Sequence, residues 1–336
     1  MAGPCEPPMD HPFPFDPTYG YDLEALLAVR GPEPPADFAA FWRATWDQAM
    51  RTPPGPRLRH VGELAGEGGK VEVHEIDFAA WGGVRLGGWL TLPCQAEPTR
   101  AIVVGHGYGG REAPVADVPG PPAVALFPCA RGLSRSARRD LPGHSARHVV
   151  HGIASRETYI HRGCAADIWA AASVLLELYP HLAGRLDYLG GSFGGGMGAL
   201  ALPWDDRFGR AALRVPSFGH HRLRVTLRCT GSGEAVRCHI AEHPDRDVLG
   251  VLAYFDAASA ARFLTIPTLC ECALFDPSVP PPGQFAVHNA LAGEHELVVR
   301  QAGHFDYAEQ AEDDETFARR ADTWFRQWSE PHRQRV

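Results

Sequence analysis

Three short apolar runs constrain this chain most: AIVVG at 101–105, AVALF at 123–127 and LDYLG at 186–190, each cut off by glycine or proline. Runs this brief suit strands better than helices, and their lack of polar alternation requires both faces to be buried. Such strands belong to the interior of a parallel sheet, which needs helical cover above and below. The sequence supplies it: Cys164, Ile168, Ala171, Leu175 and Leu178 recur at helical steps of three and four between two of the runs. Further strands are expected at 70–78, 84–92, 211–215, 267–275 and 295–300, and helices at 36–50, 283–291 and 315–328. Alternating β and α elements place the chain in the α/β class, as a doubly wound, mostly parallel sheet with helices on both faces.

Two segments fall outside that alternation. Residues 1–35 are proline-rich and aperiodic, which predicts an extended arm; its Phe13, Phe15, Tyr19 and Tyr21 need a surface to pack on. Residues 216–255, rich in His and Arg, predict an inserted helical segment within a single domain spanning 36–336. The formal net charge of −8 argues against a nucleic-acid partner. No apolar run approaches the ~18 residues of a membrane span. The first residues lack a basic stretch followed by an apolar one, so a cytoplasmic protein is expected. The eight cysteines, Cys5 among them, form no C-x-x-C pair and read as reduced thiols. His144, His148 and His151 approach ligand spacing but have no carboxylate or cysteine to complete a set, so neither metal nor cofactor is expected.

Chemistry concentrates in GGSFGG at 190–195, which carries G-x-S-x-G between a strand and a helix of small residues. That context suits a nucleophile elbow, in which a strained turn lifts Ser192 Oγ above the sheet and aims the Phe193 N–H at a developing oxyanion. A serine needs a base, and the base needs a carboxylate to orient it. On this fold the order is serine, acid, histidine, each following a strand. PTLCECALF ends at Asp276 and ELVVR runs into QAGHFD, which holds His304. Asp256 precedes a helix and Asp306 lies two residues from the histidine, so both fit less well as the acid. HGYGG at 106–110 follows AIVVG and offers the Tyr108 N–H as a second oxyanion donor, with the Tyr108 ring available to wall an acyl pocket. His106 reads as structural.

These residues resemble the acetyl xylan esterase and cephalosporin-C deacetylase family of carbohydrate esterases, on the α/β-hydrolase fold. YDLEALLAVRGPEPPADFAAFW at 21–42, HGYGG, Arg131–Gly132, HGIASRETYIHRGCAADIWAA at 151–171, GGSFGG, YFDAASAARF and ALFDPSVPPP carry the resemblance. It implies a Ser192–Asp276–His304 triad with Tyr108 and Phe193 as oxyanion donors, removal of small acyl groups such as acetyl, and a homo-oligomer, in this family a doughnut-shaped hexamer. Leu133, Phe193 and Phe305 stand where the family carries glutamine, glutamine and glutamate. Three apolar replacements near one site predict a drier pocket. A peptidase or lactone hydrolase on the same fold, or a non-catalytic ligand-binding relative, are the alternative readings.

Overall fold

A computed structural model describes residues 9–327. Nine strands form one sheet: β1 (Arg57–Gly66), β2 (Gly69–Ala80), β3 (Val84–Pro93), β4 (Arg100–Val104), β5 (Ala123–Pro128), β6 (Leu186–Gly191), β7 (Phe208–Arg214), β8 (Thr268–Phe275) and β9 (His295–Ala302). Their spatial order is β1-β2-β3-β5-β4-β6-β7-β8-β9. The pairs β1/β2, β2/β3 and β3/β5 are antiparallel, and β5, β4, β6, β7, β8 and β9 run parallel.

The apolar runs are the sheet's centre because each residue parity has its own core. On β4, Ala101 and Val103 join one cluster while Ile102 and Val104 join the other. On β5, Val124 and Leu126 divide in the same way from Ala125 and Phe127. One face is covered by the helix Ile160–Leu178, through Trp169 and Leu175, and by the elbow helix Phe193–Ala201. The other receives Phe317, Trp324 and Phe325 of the helix Gln310–Arg326.

The structure departs from expectation at two places. β1 was not expected: its RLRHVGELAG is exposed along most of its length, so it carries neither the continuous apolar run nor the alternation that marks a strand, and its pairing with β2 defines it. The 1–35 segment is not extended throughout. Leu23–Leu27 is a helix, started by the Asp22 carboxylate accepting the Ala25 N–H at 2.8 Å and anchored by the fully buried Leu26. Residues 1–8, including Cys5, lie outside the described residues. Between β7 and β8 the chain is helical at His221–Arg224, Ser232–Glu242, Val248–Leu252 and Ala257–Ala261. Among the described residues no helix is long and apolar enough to cross a membrane, and no three His, Cys, Asp or Glu side chains are arranged to hold a metal ion.

Candidate active site

Ser192 joins β6 to the helix Phe193–Ala201 with φ +53° and ψ −113°. A non-glycine residue there carries strain of the order of 1–3 kcal/mol, so its surroundings must hold it. They do so through backbone: the Ser192 N–H donates to Arg214 O at 2.8 Å, and the Ser192 carbonyl accepts from Gly196 and Ser217. The flanking glycines are steric requirements. A Cβ on Gly190 would lie 2.7 Å from the Gly194 backbone, and one on Gly194 would lie 2.9 Å from His106 O. The buried Tyr188 hydroxyl donates to Gly194 O at 2.7 Å and ties the helix start back onto β6.

His304 follows β9, also at a positive φ of 49°. Its Nε2 lies 2.9 Å from Ser192 Oγ and its Nδ1 2.8 Å from Asp276 Oδ2. An ionised carboxylate can only accept, so Nδ1 carries the proton and Nε2 is free to take one from Ser192. Asp276 follows β8 and is fully buried. Its Oδ1 accepts the N–H groups of Ser278 and Val279, each at 2.8 Å, and Oδ2 also accepts from Gln284 Nε2 at 2.9 Å. Burial alone would lower the His304 pKa. The neighbouring Asp276 charge and its hydrogen bond outweigh that, and the pKa is raised above its ordinary 6.5.

The expected triad residues therefore form one hydrogen-bonded chain. Asp256 instead caps the helix Ala257–Ala261 and takes the His220 and His221 N–H groups. Asp306 lines the cleft beyond His304. Gln284 escaped sequence reading. It sits eight residues past Asp276 on the helix Pro281–Asn289, and it is wholly buried with its Oε1 accepting the Ala273 N–H. A polar amide among the apolar residues of the helix's first turns was its signal.

Phe193 is the first residue of its helix, so its N–H has no intrahelical acceptor. Tyr108 lies on the loop after β4, but its ring does not wall the cleft. It turns inward to pack 4.4 Å from the Phe193 ring, and its hydroxyl lies 2.9 Å from His148 Nδ1 and 3.0 Å from His161 Nε2. The protons in this row follow from its end. Arg131 O can only accept, so His148 Nε2–H donates to it at 2.9 Å. With the ring neutral, Nδ1 then accepts the Tyr108 proton, and the Tyr108 oxygen accepts from His161. Burial lowers the pKa of both histidines, well below 6.5 for His161. His106 is likewise structural: its Nε2 accepts the Ala130 N–H at 2.9 Å, and burial brings its pKa to about 4. Arg131 is held by Asp167 at 2.6 Å.

A cleft of about 1010 Å³ opens at Ser192 and His304 and runs toward the helix Gln310–Arg326. Of the three apolar replacements only Phe305 lines it; Phe193 and Leu133 are buried behind it. Charged side chains line the cleft beside Phe305. Arg214, Arg300 and Asp314 line the cleft and are linked: Arg214 binds the buried Glu271 at 2.7 Å and Asp314 at 2.8 Å, and Arg300 reaches both at 3.3 Å.

Known proteins share this fold. The fold is that of an acetyl xylan esterase from Paenibacillus sp. R4, with a TM-score of 0.75 at 21% identity over 90% of this chain and 100% of that one. Acetyl xylan esterase 1 from Thermoanaerobacterium sp. JW/SL YS485 superposes with a TM-score of 0.73 at 18% identity, over 90% and 98%. An acylaminoacyl peptidase from Pyrococcus horikoshii shares less, with a TM-score of 0.54 at 14% identity over 81% of this chain and 50% of its own. The model of the family described as acetyl xylan esterase matches residues 20–321, and by that match, which covers most of its length, the chain belongs to the acetyl xylan esterase family.

Proposed function

We propose that the protein is a serine carboxylic-ester hydrolase that removes small acyl groups, acetyl first among them, from a hydroxylated carrier such as a sugar. The observation that carries this reading is the unbroken hydrogen-bonded chain Ser192–His304–Asp276 at the mouth of the cleft. In this reading His304 Nε2 takes the Ser192 proton as Oγ attacks the ester carbonyl. The Phe193 and Tyr108 N–H groups receive the oxyanion, each contributing about 3 kcal/mol to the transition state. His304 then returns its proton to the departing alcohol, and water, deprotonated by the same nitrogen, clears the acyl-enzyme. Asp276 keeps the imidazole oriented and stabilises its charged form. The acetyl preference is inferred from family membership. A polyhydroxylated alcohol half is compatible with a cleft lined by Arg214, Arg300, Asp306 and Asp314.

The test is hydrolysis of p-nitrophenyl acetate beside longer acyl chains and acetylated xylo-oligosaccharides. Activity on acetyl esters that vanishes in Ser192→Ala supports the reading. Full activity in that variant, or none in the native protein, overturns it.

A further inference from the structure

The match to the family begins at residue 20, yet the residues just before it lie against the loops that carry the acid and the base. The local pattern is HPFPFDP at 11–17. Prolines at alternate positions hold the chain extended, where side chains alternate in direction. Pro12 and Pro14 are exposed accordingly, and His11, Phe13 and Phe15 are partly covered. Their cover is specific. The His11 ring lies 5.3 Å from that of Phe275, the residue before Asp276. The Phe13 ring meets Phe305, the residue after His304, edge-on at 5.6 Å, and lies 6.5 Å from Phe275. Phe275 and Phe305 are themselves 5.2 Å apart. Farther along, Pro17 O accepts the Asp276 N–H at 3.1 Å, and the Tyr19 hydroxyl donates to Arg228 O at 2.7 Å. The opposite side of the aspartate loop is held by the insert, where the Thr230 N–H donates to Pro277 O at 2.7 Å.

We propose that residues 11–17 are a positioning element for the Asp276–His304 pair, with Phe13 as the wedge that locks the two loops together through Phe275 and Phe305. The need for one follows from His304 itself. Its left-handed backbone persists only where neighbours over-determine it. On one side the Gly303 N–H donates to Phe275 O at 2.8 Å. On the other, the Phe305 ring supplies the anchor, and Phe13 closes the third side of that aromatic cluster. The same arrangement accounts for Phe305 in place of the family's glutamate: an apolar ring is what an aromatic arm can pack on. The inference rests on the proposed triad, because positioning has meaning only if His304 is the base.

Phe13→Ala and Phe13→Tyr test it, read by kcat, KM and the acid limb of the pH profile with p-nitrophenyl acetate. The charged groups acting on His304 are Asp276 and Arg300, and neither changes in these variants. Loosening the pair in Phe13→Ala should lower kcat about 10-fold with KM within about 2-fold, since a displacement near 1 Å in catalytic geometry costs up to ~100-fold. The acid limb should move to lower pH as Asp276 loses its hold on His304. Phe13→Tyr, which keeps the ring, should restore both. Wild-type kcat and acid limb in Phe13→Ala overturn the proposal, as does a variant that loses only thermal stability. If Phe13→Ala does not fold, Phe13→Leu keeps the bulk without the ring and is read against the same two outcomes. Ser192→Ala is assayed alongside: its full activity would sink the triad reading, whereas its inactivity beside an unaffected Phe13→Ala would sink only the arm's role.

Discussion

Two of the histidines around the elbow meet opposite fates. His304 bonds Ser192 on the cleft side, its side chain 28% exposed, and its pKa is raised. His161 packs beside Phe193 on the buried side, has no carboxylate bound to it among the described residues, and its pKa is pushed well down by burial. Burial acts on both in the same direction, against the charged ring. What separates them is Asp276, whose charge and bond to Nδ1 favour the imidazolium. A histidine wrapped in aromatic rings, by contrast, is a neutral hydrogen-bonding strut. Counting histidines near a serine would not have distinguished the two; tracing their second ring nitrogen does.

The sharpest way to break this contrast is to remove what creates it. Asp276→Asn should lower kcat by roughly 10³–10⁴-fold, because the amide can donate to Nδ1 and favour the wrong tautomer. Esterase kinetics with intact folding by circular dichroism check it, and a fall of less than about 10-fold would mean that another group orients His304. On the buried side, Phe193→Ala should cost about 3–5 kcal/mol of stability, as for a large aromatic taken from a core. Its backbone N–H survives, so kcat of the folded fraction should fall far less than in Asp276→Asn. Denaturant unfolding beside kcat measured at low temperature separates the two effects.

The pH dependence sharpens the same contrast, with opposite signs. If His304 acts as the proposed base it must be neutral, so kcat/KM should fall as pH drops, with its midpoint above 6.5. The stability that His304 gains from Asp276 is complete below its unfolded pKa near 6.5 and is lost as pH rises through the higher folded value. His106, His148, His161 and His221 behave oppositely. Their folded pKa values are depressed, to about 4 for His106 and about 3 for His221, so the unfolded chain takes up their protons first. Their contribution is complete above pH 6.5 and drains away as pH falls below it, down to about 4 for His106 and about 3 for His221, which thermal melts across that range should record. The smallest expected effect is that of Tyr108→Phe. It removes the hydroxyl between the buried His148 and His161 at about 1–3 kcal/mol of stability, and kcat should stay within a few-fold because the N–H is retained.

Sequence legibility followed how local each signal is. The central strands announced themselves because burial on both faces leaves no room for polar residues. The elbow did so because only glycine fits within 3 Å of neighbouring backbone. Asp276 and His304 were readable because the fold assigns each a strand end. β1 was not, since an edge strand with both faces in water has no pattern to betray it. The inward turn of Tyr108 was hidden because its partners lie 40 and 53 residues away. The arm's aromatic residues signalled a docking surface, but nothing local named it.

That last contact has a consequence for biosynthesis. Pro17 leaves the ribosome about 260 residues before Asp276, and at roughly 5–20 residues per second the wait is on the order of tens of seconds. The Asn289 amide, which donates to Leu26 O and Val29 O at 2.9 Å each, ties the same early stretch to the same late one. The earlier-made segment thus stays without Asp276, Phe275 and Phe305 until the strands before Asp276 and His304 emerge, so this end of the molecule is among the last to assemble. A nascent chain halted before residue 275 has a formed elbow at most, and no docked arm.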